Sequence, residues 1–589
     1  MAQSSTELSR EIHSGSGTSF KDILRRIDAR VPRSLWPFAG VILLYVVAIF
    51  IIPTNVDVGI SDDWTYVLSV DNLVTHGRFD ILSVSAATMV FQLFWGGLFA
   101  FIFGMSFGVL RVSTIVITLL GGLAVFGMCR ELGVTRERSA LGMAAYLFNP
   151  ILFAISYSFM TDPHYLALLA ISSYFYLRGL RPGEEDTRSI LYGASVAALG
   201  VLQRPHAALI PFAVVMFLVC TRRLWFNRAG IELFLKIVAI PAFTFLFYYL
   251  VVARGLPSQQ GLFLDDAKAA GWQQGSLLAR RVATIEAVYT GFFLLPLALA
   301  ALSIVFSLVK MRSIAGWIVF LVFAGGMLWG VQTFWGQGRR MPYVPHFFGR
   351  GGPGSGDVRY TRPPLLGPWA WDVLTIICVI ASLIAILAII RAFAGEANAE
   401  RSGAALLATI GIIQAAGVIP QSLMFRNWII SLDRYMLPMF PFLIALFLWS
   451  IRGERFPSKV AWVLTIAMAV FSIAGTRDAL VFQNTAWGLA RWLNYQGVPN
   501  TMIDAGYPWD AYHLWEYGEA AGITTPQTPE QYATWWTGSY AKPTNSTYII
   551  SGAPIKGYQT IAVQPFSAWL HGPTQYLFIL RRDGYPGPP

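Results

Sequence analysis

The chain has 589 residues, 55% hydrophobic and only 13% charged, with a net charge of +11. Soluble domains carry about 25% charged residues, so this composition excludes a soluble enzyme, and recurrent unbroken apolar runs exclude the alternating strands of a membrane barrel. The excess of positive charge reads as cytoplasmic loops rather than nucleic-acid binding, and Cys129, Cys220 and Cys378 show neither disulfide nor metal-ligand spacing.

Taken in order, the pattern predicts a polytopic α-helical membrane protein with about thirteen crossings. Residues 1–34, with Lys21, Arg25, Arg26, Arg30 and Arg33, form a cytoplasmic tail. An apolar run at 35–53 leads out of the cytoplasm. A first outer loop, 54–108, carries the adjacent carboxylates Asp62 and Asp63. Residues 62–80 read as a short amphipathic interfacial helix. The apolar stretch 89–104 is short for a crossing, so it is placed in the interface or as a re-entrant segment, and 109–129 becomes the second crossing.

Further crossings are expected at 139–159, 164–178, 190–203, 207–220, 231–252, 285–309, 314–331, 369–390, 403–424, 437–451 and 460–475. Inner turns between them are basic. One outer loop, 332–368, is also basic, with Arg339, Arg340, Arg350, Arg359 and Arg362, a pattern suited to anion recognition. The transmembrane region thus spans 35–475. From 476 to 589 the apolar runs shorten. A helix at 478–496 and strands near 501–504, 548–550 and 576–580 predict a small extracytoplasmic α/β domain.

This topology gathers Asp62, Asp63, Asp162, His164, Gln203, Arg204 and His206 on one outer face. Short turns favour Asp and Pro on their own account, but ionisable groups at membrane depth are costly, and convergence from separate segments points to function. One carboxylate can act as a general base toward a hydroxyl. Asp62 with Asp162 can ligate a divalent cation through oxygen. A cation or arginine can stabilise a leaving phosphate. Together these describe glycosyl transfer from a sugar phosphate. The same carboxylates can instead bind a transported proton or cation, so a transporter or lipid flippase with an outer binding domain is the alternative. The C-terminal tryptophans, including Trp487, Trp509, Trp515, Trp535, Trp536 and Trp569, suit either sugar stacking or an interfacial belt.

Asp62-Asp63-x-x-Tyr66 resembles the Asp-(Asp/Glu)-x-x-Tyr pattern of GT-C glycosyltransferases, in the branch holding protein O-mannosyltransferases and the aminoarabinose transferases of lipid A. Phe103-Gly104-Met105-Ser106 with Leu110-Arg111, Asn149-Pro150 with Met160-Thr161-Asp162-Pro163, Arg204-Pro205-His206, and Asp433-Arg434-Tyr435-Met436-Leu437-Pro438 with Pro441 resemble further elements of that family, in order. Ser83–Thr88 departs from it, standing where many members have His-Pro-Pro or Lys-Pro-Pro.

The resemblance implies an inverting transfer of a hexose or pentose from a polyprenyl-phosphate donor to a lipid, polysaccharide or protein acceptor, at the outer face of a plasma (inner) membrane. It implies Asp62 as base or metal ligand with Asp63 and Asp162 in support. Tyr66 would stand at the cavity wall, and Arg204, His206, Arg339, Arg340 and Arg434 would bind substrate. Asp62 and Asp162 are the candidate ligands of a divalent cation, with no organic cofactor and no nucleic-acid partner expected.

Overall fold

In a computed structural model of the protein, residues 35–85, 87–255, 271–395, 399–423 and 432–585 are described. The expected amino-terminal tail, 1–34, and the end of the expected crossing 403–424 lie outside these residues. Among the described residues six helices are long and apolar enough to cross a membrane: Phe107–Glu131, Arg228–Val252, Ile314–Gly336, Pro368–Phe393, Ala399–Pro420 and Ser458–Tyr495. The chain is an integral membrane protein.

Two expected crossings are not straight rods. The run 139–159 is a helix pair, Arg136–Leu147 and Pro150–Ser156, bent by 63°. The cause is local. The Asn149 side-chain oxygen accepts the N–H groups of Ile151 at 3.1 Å and Leu152 at 3.4 Å, and Pro150 starts the new helix. The run 285–309 starts earlier, in a helix Gly271–Phe293 that includes residues expected in an outer loop, and bends by 66° into Leu295–Leu308 near Pro296. Other expected crossings are short. Thr187–Val201 has 15 residues and Phe440–Ser450 has 11, so the number of full-length spans is smaller than hydropathy alone indicates. Val90–Phe103 has 14 residues, about 21 Å of helix against a hydrocarbon core of about 30 Å.

Ser458–Tyr495 is a single helix of 38 residues that passes residue 476 unbroken, where two separate helices were expected. Gly475 lets the 339–366 segment cross this helix closely: a Cβ there would lie 2.4 Å from Pro353 Cδ. Beyond the helix, Ile503–Asp504 runs parallel to Tyr548–Ser551. Gln575–Arg582 is antiparallel to that strand and to the edge strand Tyr558–Phe566. The edge strand was not expected, and its side chains are mostly exposed, so no buried face marks it in the sequence.

The C-terminal unit packs directly on the first loop of the membrane region. Trp64, in the helix Asp63–His76, meets Trp515 at 6.0 Å, Tyr540 at 6.2 Å and Tyr507 at 6.3 Å between ring centroids. Arg359, from the segment 339–366, donates two hydrogen bonds, at 2.7 and 2.8 Å, to the fully buried carboxylate of Asp504.

Candidate active site

The loop that follows Pro53 is held by a buried guanidinium. Arg111, 1% exposed, donates to the carbonyls of Thr54, Val56 and Val58 on the loop and of Tyr157 across from it, at 2.7–2.9 Å. Backbone carbonyls that would otherwise be unpaired are thereby satisfied by one charged side chain. The loop then turns through Ser61, whose φ of 55° is unusual for a residue with a Cβ. That strain is held from outside. The Ser61 N–H donates to Asp357 Oδ2 at 3.0 Å, and its hydroxyl lies 3.1 Å from His346 Nε2.

The two adjacent carboxylates are treated differently. Asp63 turns inward and accepts the N–H groups of Ile60 at 2.7 Å and Phe159 at 3.4 Å. Burial pushes its carboxyl up to about 8, against the pull of those N–H groups and of Arg111. Asp62 keeps 29% of its side chain exposed and faces a charged array. Its Oδ2 accepts from Arg434 at 2.9 Å, and its Oδ1 accepts the Tyr507 hydroxyl at 2.9 Å. Burial works to raise Asp62, but the charge and hydrogen bond of Arg434 and the Tyr507 hydrogen bond outweigh it and hold the carboxyl below the usual carboxylate range. Near neutral pH the pair is split, with Asp62 ionised and Asp63 largely protonated.

Arg434 also approaches Asp162, at 3.7 Å, and Asp162 pairs with Arg204 at 2.9 Å. Arg204 further donates to the Thr161 hydroxyl and lies over the Tyr165 ring. Asp62, Arg434, Asp162 and Arg204 therefore form one alternating chain of charge built from four separate segments. Tyr66 is buried and sits within the field of all four. His346 lies beside Asp62 and Arg434, and burial pushes it down to about 3, so it is neutral. The turn that carries Arg204 is fixed by Gln203. Its amide donates to Gln92 Oε1 at 2.9 Å and to the Thr161 carbonyl at 3.2 Å.

Asp433, next to Arg434, serves backbone rather than the Asp62 array. It accepts the N–H groups of His346, Phe347 and Phe348 at 2.7–3.2 Å and fixes the 339–366 segment against the site.

Other expected residues lie elsewhere. His164 uses Nδ1 on the Met160 carbonyl at 3.0 Å and packs against Phe159. His206 lies within the short turn Pro205–Ala208 and faces Gly417. Arg339 donates to the Tyr343 carbonyl and stacks on Phe334. Arg340 pairs with Asp372 and stacks on Trp335. Arg362 donates to the carbonyls of Pro353 and Gly354. The contacts of Arg339, Arg340 and Arg362 are therefore internal ones, apart from the Asp62 array.

The expected cation pair does not fit a metal. The Arg434 guanidinium lies between Asp62 and Asp162, at 2.9 and 3.7 Å. Among the described residues no group of three His, Cys, Asp or Glu side chains is placed to hold an ion. A guanidinium already supplies the positive charge a metal would bring.

Tyr507, His346 and Asp357 were not foreseen. They come from the C-terminal unit and the 339–366 segment, and nothing in the spacing of 24 tyrosines singles out one of them.

Residues 88–249 match the family model of dolichyl-phosphate-mannose-protein mannosyltransferases. The matched stretch runs from the short apolar helix through Asp162 and Arg204. No curated protein matches the chain. Among solved structures, the chain is similar to ArnT from Cupriavidus metallidurans bound to undecaprenyl phosphate, with 13% identity, 94% of this chain and 99% of that one covered, and a TM-score of 0.44. The apo state of the same protein matches with 14% identity over 79% of this chain and 82% of that one, with a TM-score of 0.39.

Proposed function

We propose that this protein is a GT-C membrane glycosyltransferase that moves a sugar from a polyprenyl-phosphate donor to an acceptor hydroxyl at the outer face of the membrane. The observation that carries the reading is the state of Asp62: partly exposed, ionised, and held on both oxygens by Arg434 and Tyr507. The family match over residues 88–249 supports the same class.

In the proposed reaction Asp62 accepts the proton of the acceptor hydroxyl. The freed oxygen attacks the anomeric carbon. The bond from that carbon to the phosphate oxygen breaks, and polyprenyl phosphate leaves with the electron pair. A single displacement inverts the anomeric centre. Arg434 and Arg204 offset the negative charge on the departing phosphate, as preorganised cations do in a partly dry site. No enzyme nucleophile and no metal is required. Asp63 keeps the loop in shape rather than taking part in proton transfer.

The experiment is turnover of a panel of radiolabelled polyprenyl-phosphate sugars by purified protein in detergent with added membrane lipid extract. Transfer by the wild type, absent in Asp62→Asn, is the expected result. Undiminished transfer by Asp62→Asn would sink the assignment.

A further inference from the structure

We propose that Tyr507 is a positioning residue for this reaction: the C-terminal unit places one hydroxyl against Asp62, so that the site is complete only with that unit docked. The inference rests on the reading of Asp62 as the base and deepens it.

Four observations carry it. The Tyr507 hydroxyl donates to Asp62 Oδ1 at 2.9 Å, while Arg434 holds Oδ2 at the same distance. Both carboxylate oxygens are thus fixed. A carboxylate has about four acceptor positions, so room remains for the acceptor hydroxyl. The Tyr507 ring is 3% exposed and packed against Trp535 at 4.5 Å, Tyr540 at 5.5 Å and Trp64 at 6.3 Å, which leaves the hydroxyl little freedom. Its backbone is pinned as well. The Tyr507 N–H donates to the Asp357 carbonyl at 2.8 Å, and the preceding Gly506, with φ of 97°, permits that approach. A Cβ on Gly506 would lie 2.5 Å from the same carbonyl oxygen. Finally, the Asp357 carboxylate accepts the N–H of Ser61, next to Asp62. One residue of the 339–366 segment therefore holds both ends of the Tyr507–Asp62 hydrogen bond in register.

The groups that face Asp62 are Arg434, His346, Tyr507, Tyr66, Asp357 and Tyr540. Burial keeps the Tyr507 phenol protonated, so it donates and stabilises the ionised carboxylate. If the ring only filled the aromatic cluster, phenylalanine would serve as well.

Tyr507→Phe in the full-length protein separates the two roles. The first readout is labelling of Asp62 by a water-soluble carbodiimide and glycine ethyl ester, followed by peptide mass spectrometry across pH. The reagent takes the protonated carboxyl, so the midpoint reports its ionisation without reference to activity. The midpoint should rise by about one pH unit in Tyr507→Phe. The second readout is donor turnover. Turnover at saturation should fall about tenfold, with donor KM within about twofold and the acidic limb of the pH profile moved upward. An unchanged midpoint, or a moved midpoint with unchanged turnover, overturns the role given to Tyr507 and leaves the functional reading standing. A wild type that converts no polyprenyl-phosphate sugar overturns the functional reading, and the role of Tyr507 with it.

Discussion

Adjacent polar residues divide their labour at two places in this chain. In Asp62-Asp63 and in Asp433-Arg434, one side chain ties loop backbone and the other faces the charge array. The split has consequences for substitution. Asp63→Asn should keep turnover within about tenfold of the wild type, since a neutral side chain of the same shape can still accept the Ile60 N–H. It should also change the pH dependence of stability. Asp63 is raised to about 8 in the folded protein, from a value near 4 in the unfolded chain. Its contribution to stability is complete below the unfolded value and is lost as pH rises toward and through 8, because the folded state then retains a proton that the unfolded state has released. Thermal unfolding in detergent at pH 5 and pH 9 should show the wild type losing stability over that range relative to Asp63→Asn. Parallel curves would contradict the inward role given to Asp63. The sequence showed the Asp62-Asp63 pair, but not which member faces which way. That choice depends on contacts 96 residues away at Phe159 and 372 residues away at Arg434.

At the scale of elements, the first loop depends on Arg111, which sits on a neighbouring helix. Its partners are all backbone carbonyls, and backbone groups leave no signature in residue type. The Leu110-Arg111 passage was therefore legible as a motif but not as a clamp. Leaving a buried backbone carbonyl without its donor costs about 1–3 kcal/mol, and Arg111 serves four of them. Arg111→Leu should accordingly lower the thermal midpoint clearly and reduce the folded yield, whereas Arg204→Ala should reduce turnover with a smaller effect on stability. Equal stability of Arg111→Leu and wild type would show that Arg111 does not clamp the loop. Helix positions were mostly legible, because apolar runs are a direct readout of lipid-facing and core surface, but against about thirteen expected crossings only six of the described helices are long and apolar enough to span a membrane. The bends were less so. Asn149-Pro150 marks one of them, and its capping geometry makes sense of the break only once the neighbouring N–H groups are located.

Across the whole molecule, the site draws on the loop that follows Pro53, the 161–206 region, the 339–366 segment, the turn before Phe440–Ser450, and the C-terminal unit. Motifs revealed the contributions within the membrane region. They missed the C-terminal contribution because docking is carried by aromatic packing, by backbone hydrogen bonds such as Gly552 N–H to the Arg359 carbonyl, and by the buried ion pair Arg359–Asp504, all common in interfaces of many kinds. Arg359→Ala leaves Asp504 without that partner. It should weaken docking and lower turnover by about tenfold or more, while membrane insertion and donor binding persist. Limited proteolysis of the C-terminal unit, measured beside turnover, checks the link. The charge array also predicts indifference to chelation. With Arg434 between Asp62 and Asp162, excess EDTA should leave turnover within about twofold, and loss of activity restored by a divalent cation would contradict that arrangement.

The proposed role of Asp62 is to take the proton in a sugar transfer from a lipid phosphate. Its most direct measurement is conversion of radiolabelled polyprenyl-phosphate sugars by the purified wild type and by Asp62→Asn, with both proteins shown to be folded by their thermal unfolding. Released polyprenyl phosphate and labelled acceptor are expected for the wild type and neither for the variant. Saturable movement of an unaltered substrate across liposomes, with no conversion of any donor, would contradict it and assign the same carboxylates to transport.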